Sequence, residues 1–304
     1  MTRRVAAVDC GTNSLRLLVA DVGDGQLSDV ERRMEIIRLG QGVDKTGRLA
    51  PEALDRMSAV LRDYAGVIRK SGAAAVRMVA TSATRDADNS AEFISRVKDI
   101  LGLAPEVLSG DAEARLSFTG ATAELTGAGP CLIADIGGGS TEFVLGDPGG
   151  PEVRAISVDI GCVRLTERHL HADPPTRDQV AAAVADIDAA LDTVADTIPV
   201  AEAKTLVGLA GSVATVTAIA MGLTEYDSSR IHHTRTSAAD VHAITATLLS
   251  QRRADRARIG VMHPGRVDVI GGGALVLDQI MRRFGFAEVL ASEHDILDGI
   301  VWSL

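Results

Sequence analysis

One local pattern occurs twice in this chain, and it constrains the fold more than any other feature. The first copy is Val8-Asp9-Cys10-Gly11-Thr12-Asn13-Ser14, continuing into Leu15-Arg16-Leu17-Leu18-Val19. The second is Cys131-Leu132-Ile133-Ala134-Asp135-Ile136-Gly137-Gly138-Gly139-Ser140-Thr141-Glu142, continuing into Phe143-Val144-Leu145. Each reads as two apolar strands joined by a glycine turn, a hairpin. Aligning Asp9 with Asp135 also aligns Gly11 with Gly137 and Ser14 with Ser140. An internal repeat decides architecture early. Two such hairpins, each opening one half of the chain, predict two similar α/β domains facing each other across a phosphate-binding cleft. Glycines allow φ > 0 and close approach to the main chain. Convergent N–H groups with neighbouring hydroxyls make an anion-binding concavity, and Asp135, at the strand end, is placed to hold a divalent cation. For either copy alone, a plain glycine-rich hairpin is the competing reading. No G-x-x-x-x-G-K-[ST] is present, and both turns lead into strands rather than helices, unlike a dinucleotide fingerprint.

At 304 residues the length fits about two domains. Hydrophobic residues make up 46% and charged residues 24%, the balance of a soluble globular protein. Aromatics are only 3%, so the cores must be aliphatic. The apolar stretch behind the N-terminal arginines is cut short at Asp9, so it is not a signal peptide. No uncharged apolar run reaches the ~18 residues of a membrane span. Cys10, Cys131 and Cys162 are odd in number and lack metal-ligand spacing, as expected for reduced core residues of a cytoplasmic protein. A net charge of −10 argues against general nucleic-acid binding. A polyanionic substrate would therefore need locally placed arginines.

In chain order, a third strand is expected near 28–38, after the first hairpin. Leu54, Met57, Val60, Leu61, Tyr64, Val67 and Ile68 keep helical spacing from Pro51 to Lys70. A buried strand follows at 76–80, then a polar loop, Thr81 to Asn89, before a helix at about 90–101. A strand near 106–108 leads into a helix starting around Ser109-Gly110, whose Glu113 is favoured by the helix dipole whatever else it does. The Gly- and Ala-rich segment Thr122 to Pro130 is the expected domain boundary, dividing 1–125 from 126–291. In the second half a helix begins after Gly161, and Thr176-x-x-Gln179 has capping-box form. Gly211-Ser212 and Gly271-Gly272-Gly273 stand at strand- or loop-to-helix transitions. Helix N-termini reached through glycines either receive anionic ligand groups or mark close helix packing. His169/His171 and His232/His233 read as surface or loop residues without an acidic partner set. Arg252, Arg253, Arg256 and Arg258 read as a solvated basic stripe.

The two glycine blocks are joined by four others in order: Ala80-Thr81-Ser82-Ala83-Thr84-Arg85, Ser109-Gly110-Asp111-Ala112-Glu113-Ala114-Arg115, Gly208-Leu209-Ala210-Gly211-Ser212 and Gly271-Gly272-Gly273-Ala274. Together they resemble the exopolyphosphatase/guanosine-pentaphosphate phosphatase family, Ppx/GppA, over nearly the whole chain. Cys10 stands where Ile or Val is more usual. The resemblance implies two ribonuclease H-like domains of the actin-like ATPase superfamily and a phosphoanhydride hydrolase acting with Mg²⁺. It implies Glu113 as the catalytic base, Asp135 and Glu142 as metal ligands, and Arg85 as a phosphate clamp. Phosphate would bind at Gly11, Thr12, Asn13 and Ser14 and at Gly138, Gly139, Ser140 and Thr141. It also implies that a final helix at about 292–304 packs back toward the first domain. Longer members carry a further C-terminal region resembling HD-type phosphohydrolases, and this chain has the length of the short form.

The resemblance leaves three readings. The first is an exopolyphosphatase releasing terminal orthophosphate from polyphosphate, favouring short chains and cutting distributively. The second is hydrolysis of guanosine pentaphosphate, pppGpp, at the same site. The third is a non-catalytic, nucleotide-binding actin-like module, which the presence of Glu113 disfavours; a sugar kinase of the same superfamily is disfavoured by the Ser-Gly-x-x-Glu-Ala block. A cytoplasmic homodimer without nucleic-acid or membrane partners is expected.

Overall fold

A computed structural model describes residues 2–125, 129–150 and 152–304. The chain divides into two compact units, one of residues 1–120 with 296–304 and the other of residues 121–295. The expected boundary at Thr122 to Pro130 includes residues 126–128, which lie outside the described residues.

The first unit contains β1 (Arg3–Cys10), β2 (Ser14–Gly23), β3 (Gln26–Ile36), α1 (Val43–Thr46), α2 (Pro51–Ser71), β4 (Ala75–Ala80), α3 (Ser82–Arg85), α4 (Ser90–Leu101) and β5 (Glu106–Val107). Its sheet has the order β3-β2-β1-β4-β5, with the first three strands antiparallel and β4 and β5 parallel to β1. α5 (Gly110–Thr122) follows β5 and runs to the boundary.

Side-chain alternation assigns the two faces of this sheet. Ala6, Val8, Leu15, Leu17 and Val19 join Leu54, Met57, Leu61, Phe93 and Val97 from α2 and α4. Val60 and Val67 sit at the rim of that cluster, partly buried. The other face, with Val5, Ala7, Leu18 and Ala20, is covered by Ile296, Leu297, Ile300 and Val301. Those residues belong to the terminal helix, which is shorter than expected and spans Ile296–Trp302. Arg32 on β3 pairs with the buried Asp298 of that helix, so the covering is ionic as well as apolar. The expected polar loop at 81–89 contains a turn of helix, α3, in which Ser82, Ala83 and Thr84 are buried.

The second unit contains β6 (Cys131–Ile136), β7 (Thr141–Gly146), β8 (Val153–Val158), α6 (Cys162–His169), α7 (Arg177–Thr197), a 3₁₀ turn (Val200–Glu202), β9 (Thr205–Leu209), α8 (Ala210–Ala220), α9 (Ser228–Ile231), β10 (Arg235–Ser237), α10 (Ala238–Ser250), α11 (Arg253–Arg256), α12 (Ile270–Phe284) and β11 (Glu288–Ala291). The terminal helix, Ile296–Trp302, is α13 in chain order. The sheet order is β10-β11-β9-β6-β7-β8. Read from β8, it repeats the first unit: an antiparallel trio, then strands parallel to the hairpin's first strand, with β10 added at the edge. β6 and β9 are buried along their whole length, as continuous apolar runs covered on both faces should be.

α7 carries the expected capping box, Thr176 and Gln179 bonding each other's backbone N–H groups. The glycine-to-helix transitions resolve differently. Helix α8 starts at Ala210, so Gly211 and Ser212 lie inside its first turn and do not cap it. α12 starts at Ile270, placing all three glycines within the helix. A Cβ at Gly272 would lie 2.9 Å from the Cys162 carbonyl oxygen, and one at Gly273 only 2.0 Å from Ser212 Oγ. Here the glycines serve close helix packing.

Of Arg252, Arg253, Arg256 and Arg258, three are exposed as expected and Arg256 is withdrawn from solvent. α11 is a single turn, and Arg256 is buried against the Leu248 carbonyl and Asp173, while Arg253 pairs with Asp268 and Arg258 with Asp255. All three cysteines are free and buried, and burial pushes the Cys131 and Cys162 thiols up to about 11. No helix among the described residues is long and apolar enough to cross a membrane.

Candidate active site

The glycine turns of the two hairpins are built alike. Gly11 N–H donates to the Ser14 carbonyl at 2.9 Å, and Gly137 N–H donates to the Ser140 carbonyl at 3.0 Å. Neither glycine needs a left-handed φ, so the expectation of positive φ does not hold at these two positions. In both hairpins the turn carbonyls are taken up by amides from a later segment. The Ile37 and Arg38 amides bond the Asn13 carbonyl, and the Gly40 amide bonds that of Thr12 at 2.8 Å. In the second hairpin the Cys162 amide reaches the Gly137 carbonyl at 2.9 Å, and the Val163 amide reaches that of Gly138 at 2.8 Å. Arg164 Nε donates to the Gly139 carbonyl at 2.6 Å. With their carbonyls fixed toward the protein, the turns have their amide edges to offer an anion.

This arrangement depends on Gly161, at the N-cap of α6. A Cβ there would stand 2.2 Å from the Gly138 carbonyl oxygen. Only glycine lets the start of the helix lie directly on the turn.

In the first unit, the expected site residues are linked in a chain. Thr12 Oγ1 and Ser82 Oγ are 2.7 Å apart and buried, tying the turn to α3. α3 ends in Arg85, whose Nη1 donates to the Leu108 carbonyl at 2.8 Å and to Glu113 Oε2 at 3.3 Å. Glu113 lies in the first turn of α5, as does Asp111, yet the two differ. Asp111 is exposed and pairs with Arg115, whereas Glu113 is 8% exposed. A carboxylate serving only the helix dipole has no reason to be buried beside an arginine.

In the second unit, Asp135 and Glu142 are direct partners in the β6–β7 register. Opposite residues of an antiparallel pair project on the same face, with Cβ atoms about 5 Å apart. Both are buried, at 8% and 1% exposure. Like charges opposed in this way destabilise a sheet. The same register position in the first hairpin holds Asp9 and Arg16, which make an ion pair at 2.7 Å. Ser157, the register partner of Glu142 on β8, donates its hydroxyl to Glu142 Oε1 at 2.7 Å. Two hard carboxylate donors, one oriented by a hydroxyl, suit a small divalent cation.

Ser140 is buried at the turn. Thr141 spends its hydroxyl on the Ile160 carbonyl at 2.6 Å, so that side chain shapes the turn. Sequence reasoning missed Arg16, Ser82, Ser157, Gly161 and Arg164. Arg16 had a signal, because the repeat that aligns Asp9 with Asp135 also aligns Arg16 with Glu142. Ser157 had none; its role exists only through strand pairing.

Known proteins resemble this chain in sequence and in structure. A model of the Ppx/GppA phosphatase family matches residues 18–304. The chain is 50% identical over 315 residues to exopolyphosphatase 2 of Mycobacterium tuberculosis, covering 99% of this chain and 98% of that protein. It is similar in structure to an exopolyphosphatase-like protein, with 44% identity and a TM-score of 0.96, covering 99% of this chain and 97% of the other. The Aquifex aeolicus member of the same family superposes with a TM-score of 0.82 at 30% identity, covering 100% and 97%.

Proposed function

Because this chain belongs to the Ppx/GppA phosphatase family, we propose that it is a Mg²⁺-dependent exopolyphosphatase. In this reading it removes terminal orthophosphate from inorganic polyphosphate and favours short chains. The observation that carries the reading is the buried opposition of Asp135 to Glu142. Those two carboxylates would hold Mg²⁺, which when bound neutralises phosphoryl charge. Ser157, on the other side of β7 from Asp135, fixes the Glu142 carboxylate by donating to its Oε1.

Gly11, whose own N–H holds the Ser14 carbonyl, shapes the first turn, and Thr12, Asn13 and Ser14, with Gly138, Gly139, Ser140 and Thr141, receive phosphate oxygens at their backbone amides. Arg85 exchanges its 3.3 Å contact with Glu113 for a phosphoryl oxygen, which its guanidinium binds through a charge-assisted bond. Glu113 is thereby left to orient a water and to accept its proton as the water oxygen attacks the terminal phosphorus. The bond from phosphorus to the bridging oxygen breaks, and the shortened chain leaves with that electron pair. We place the enzyme in the cytoplasm, in keeping with its three free thiols, and as a homodimer.

The test is orthophosphate release, with Mg²⁺ present, from short polyphosphate, long polyphosphate, pppGpp and ATP side by side. Short polyphosphate should be cleaved fastest. Faster release from pppGpp would replace this reading with the guanosine-pentaphosphate one.

A further inference from the structure

His232 and His233 occupy the loop between α9 and β10, and the fold gives His232 an acidic partner that its sequence neighbours do not supply. Glu124, 108 residues away, accepts a hydrogen bond from His232 Nε2 at its Oε2, 3.3 Å distant. Its Oε1 lies 3.8 Å from His294 Nδ1. The three donor atoms all fall within 4.8 Å of one another. All three residues belong to the second unit.

The cluster is held in place from behind. The Glu293 amide donates to His232 Nδ1 at 3.1 Å, and Tyr226 Oη donates to the Glu293 carboxylate at 2.6 Å. Ser292 Oγ accepts from the His294 amide and donates to the His294 carbonyl. His233 stacks on His232 with centroids 3.7 Å apart, and His294 lies against its ring at 4.4 Å. Glu124 is exposed while the two imidazoles are only partly so, which leaves one side open to solvent.

We propose that Glu124, His232 and His294 form a binding site for one divalent transition-metal ion of the zinc type, separate from the Asp135–Glu142 carboxylates. Two ligands each ~2.1 Å from a tetrahedral ion are about 3.4 Å apart. The separations of 3.3 and 3.8 Å run to the two different oxygens of Glu124, and with one atom from each residue the donors lie within 4.8 Å of one another, so the side chains draw together on binding and water completes the shell. Two imidazoles with one carboxylate suit Zn²⁺, Ni²⁺ or Cu²⁺, whereas Mg²⁺ prefers a shell of oxygens.

One contact must change on binding. Because His232 Nδ1 accepts the Glu293 amide, Nε2 carries the ring proton. An ion at Nε2 displaces that proton to Nδ1, and the amide contact is released. This cost selects ions with strong affinity for imidazole. Glu124 lies three residues past the start of the second unit and His294 one residue before its end. A bound ion therefore fastens both ends of the unit to the His232 loop.

The test uses the full chain, stripped with chelator and held in excess Mg²⁺ so that hard oxygen sites are saturated. Titration with Zn²⁺ alone should give one bound equivalent and raise the unfolding temperature. His294→Ala and Glu124→Gln, each checked for native circular dichroism, should bind Zn²⁺ about tenfold or more weakly, with Mg²⁺-supported phosphate release unchanged. Absence of stoichiometric Zn²⁺ binding overturns the proposal. So does equal binding by wild type and both variants, which would put the ion elsewhere.

Discussion

Asp135 and Glu142 stand directly opposite each other across β6 and β7, at the register position that Asp9 and Arg16 hold in the first hairpin. One repeat thus neutralises its buried aspartate internally, and the other sets carboxylate against carboxylate. The repeated hairpin has diverged at the position where charge decides what the hairpin can bind.

Glu113→Gln keeps the size of a side chain buried beside Arg85 and removes its basicity. Turnover should fall by roughly 10²–10⁴-fold, the usual contribution of a general base, with the thermal unfolding profile preserved. Near-normal turnover would return Glu113 to a role in helix α5 alone.

Arg16→Ala should act on stability. It strips the ion-pair partner from Asp9, which is 2% exposed. Removing one member of a buried pair costs about 3–5 kcal/mol. Urea denaturation measures it; a loss under ~1 kcal/mol would mean that the pair behaves as a surface one.

Gly161→Ala and Gly66→Ala separate close approach from ordinary glycine. A Cβ at Gly161 meets the Gly138 carbonyl at 2.2 Å, whereas at Gly66, inside α2, nothing lies within 4 Å. The first should destabilise by about 1–3 kcal/mol through overpacking and weaken phosphate binding at the turn. The second should be neutral or stabilising by up to ~1 kcal/mol. Equal effects in the two variants would remove Gly161 from the construction of the site.

Much of this was legible in the sequence, because strands, amphipathic helices and a capping box are local. The stripe through Leu54, Met57, Leu61, Tyr64 and Ile68 is the buried face of α2. What escaped is non-local. Ser157 meets Glu142 only because β8 pairs with β7, and His232 meets Glu124 only through tertiary folding. The glycines of α12 were ambiguous because a helix start and a packing seam use the same residue. Only the neighbours at Cys162 and Ser212 decide between them.

Substrate length provides a further check. The net charge of −10 gives a long polyanion little general attraction, and contacts beyond the turns would be screened by salt. Among the arginines at 252–258, Arg256 is buried against Asp173, and the exposed Arg253 and Arg258 pair with Asp268 and Asp255. Partial digestion of long polyphosphate should therefore leave a ladder of intermediates on a gel. Full-length substrate beside end product, with nothing between, would show processive cleavage instead.

The most direct measurement is a Mg²⁺ titration of orthophosphate release by wild type and Asp135→Asn. The substitution preserves shape and removes one of the two opposed charges, so a hard cation loses an anionic ligand. The Mg²⁺ concentration for half-maximal activity should rise by about tenfold or more, with the fold retained by circular dichroism. An unchanged Mg²⁺ titration would contradict the assignment of Asp135 and Glu142 as the cation site.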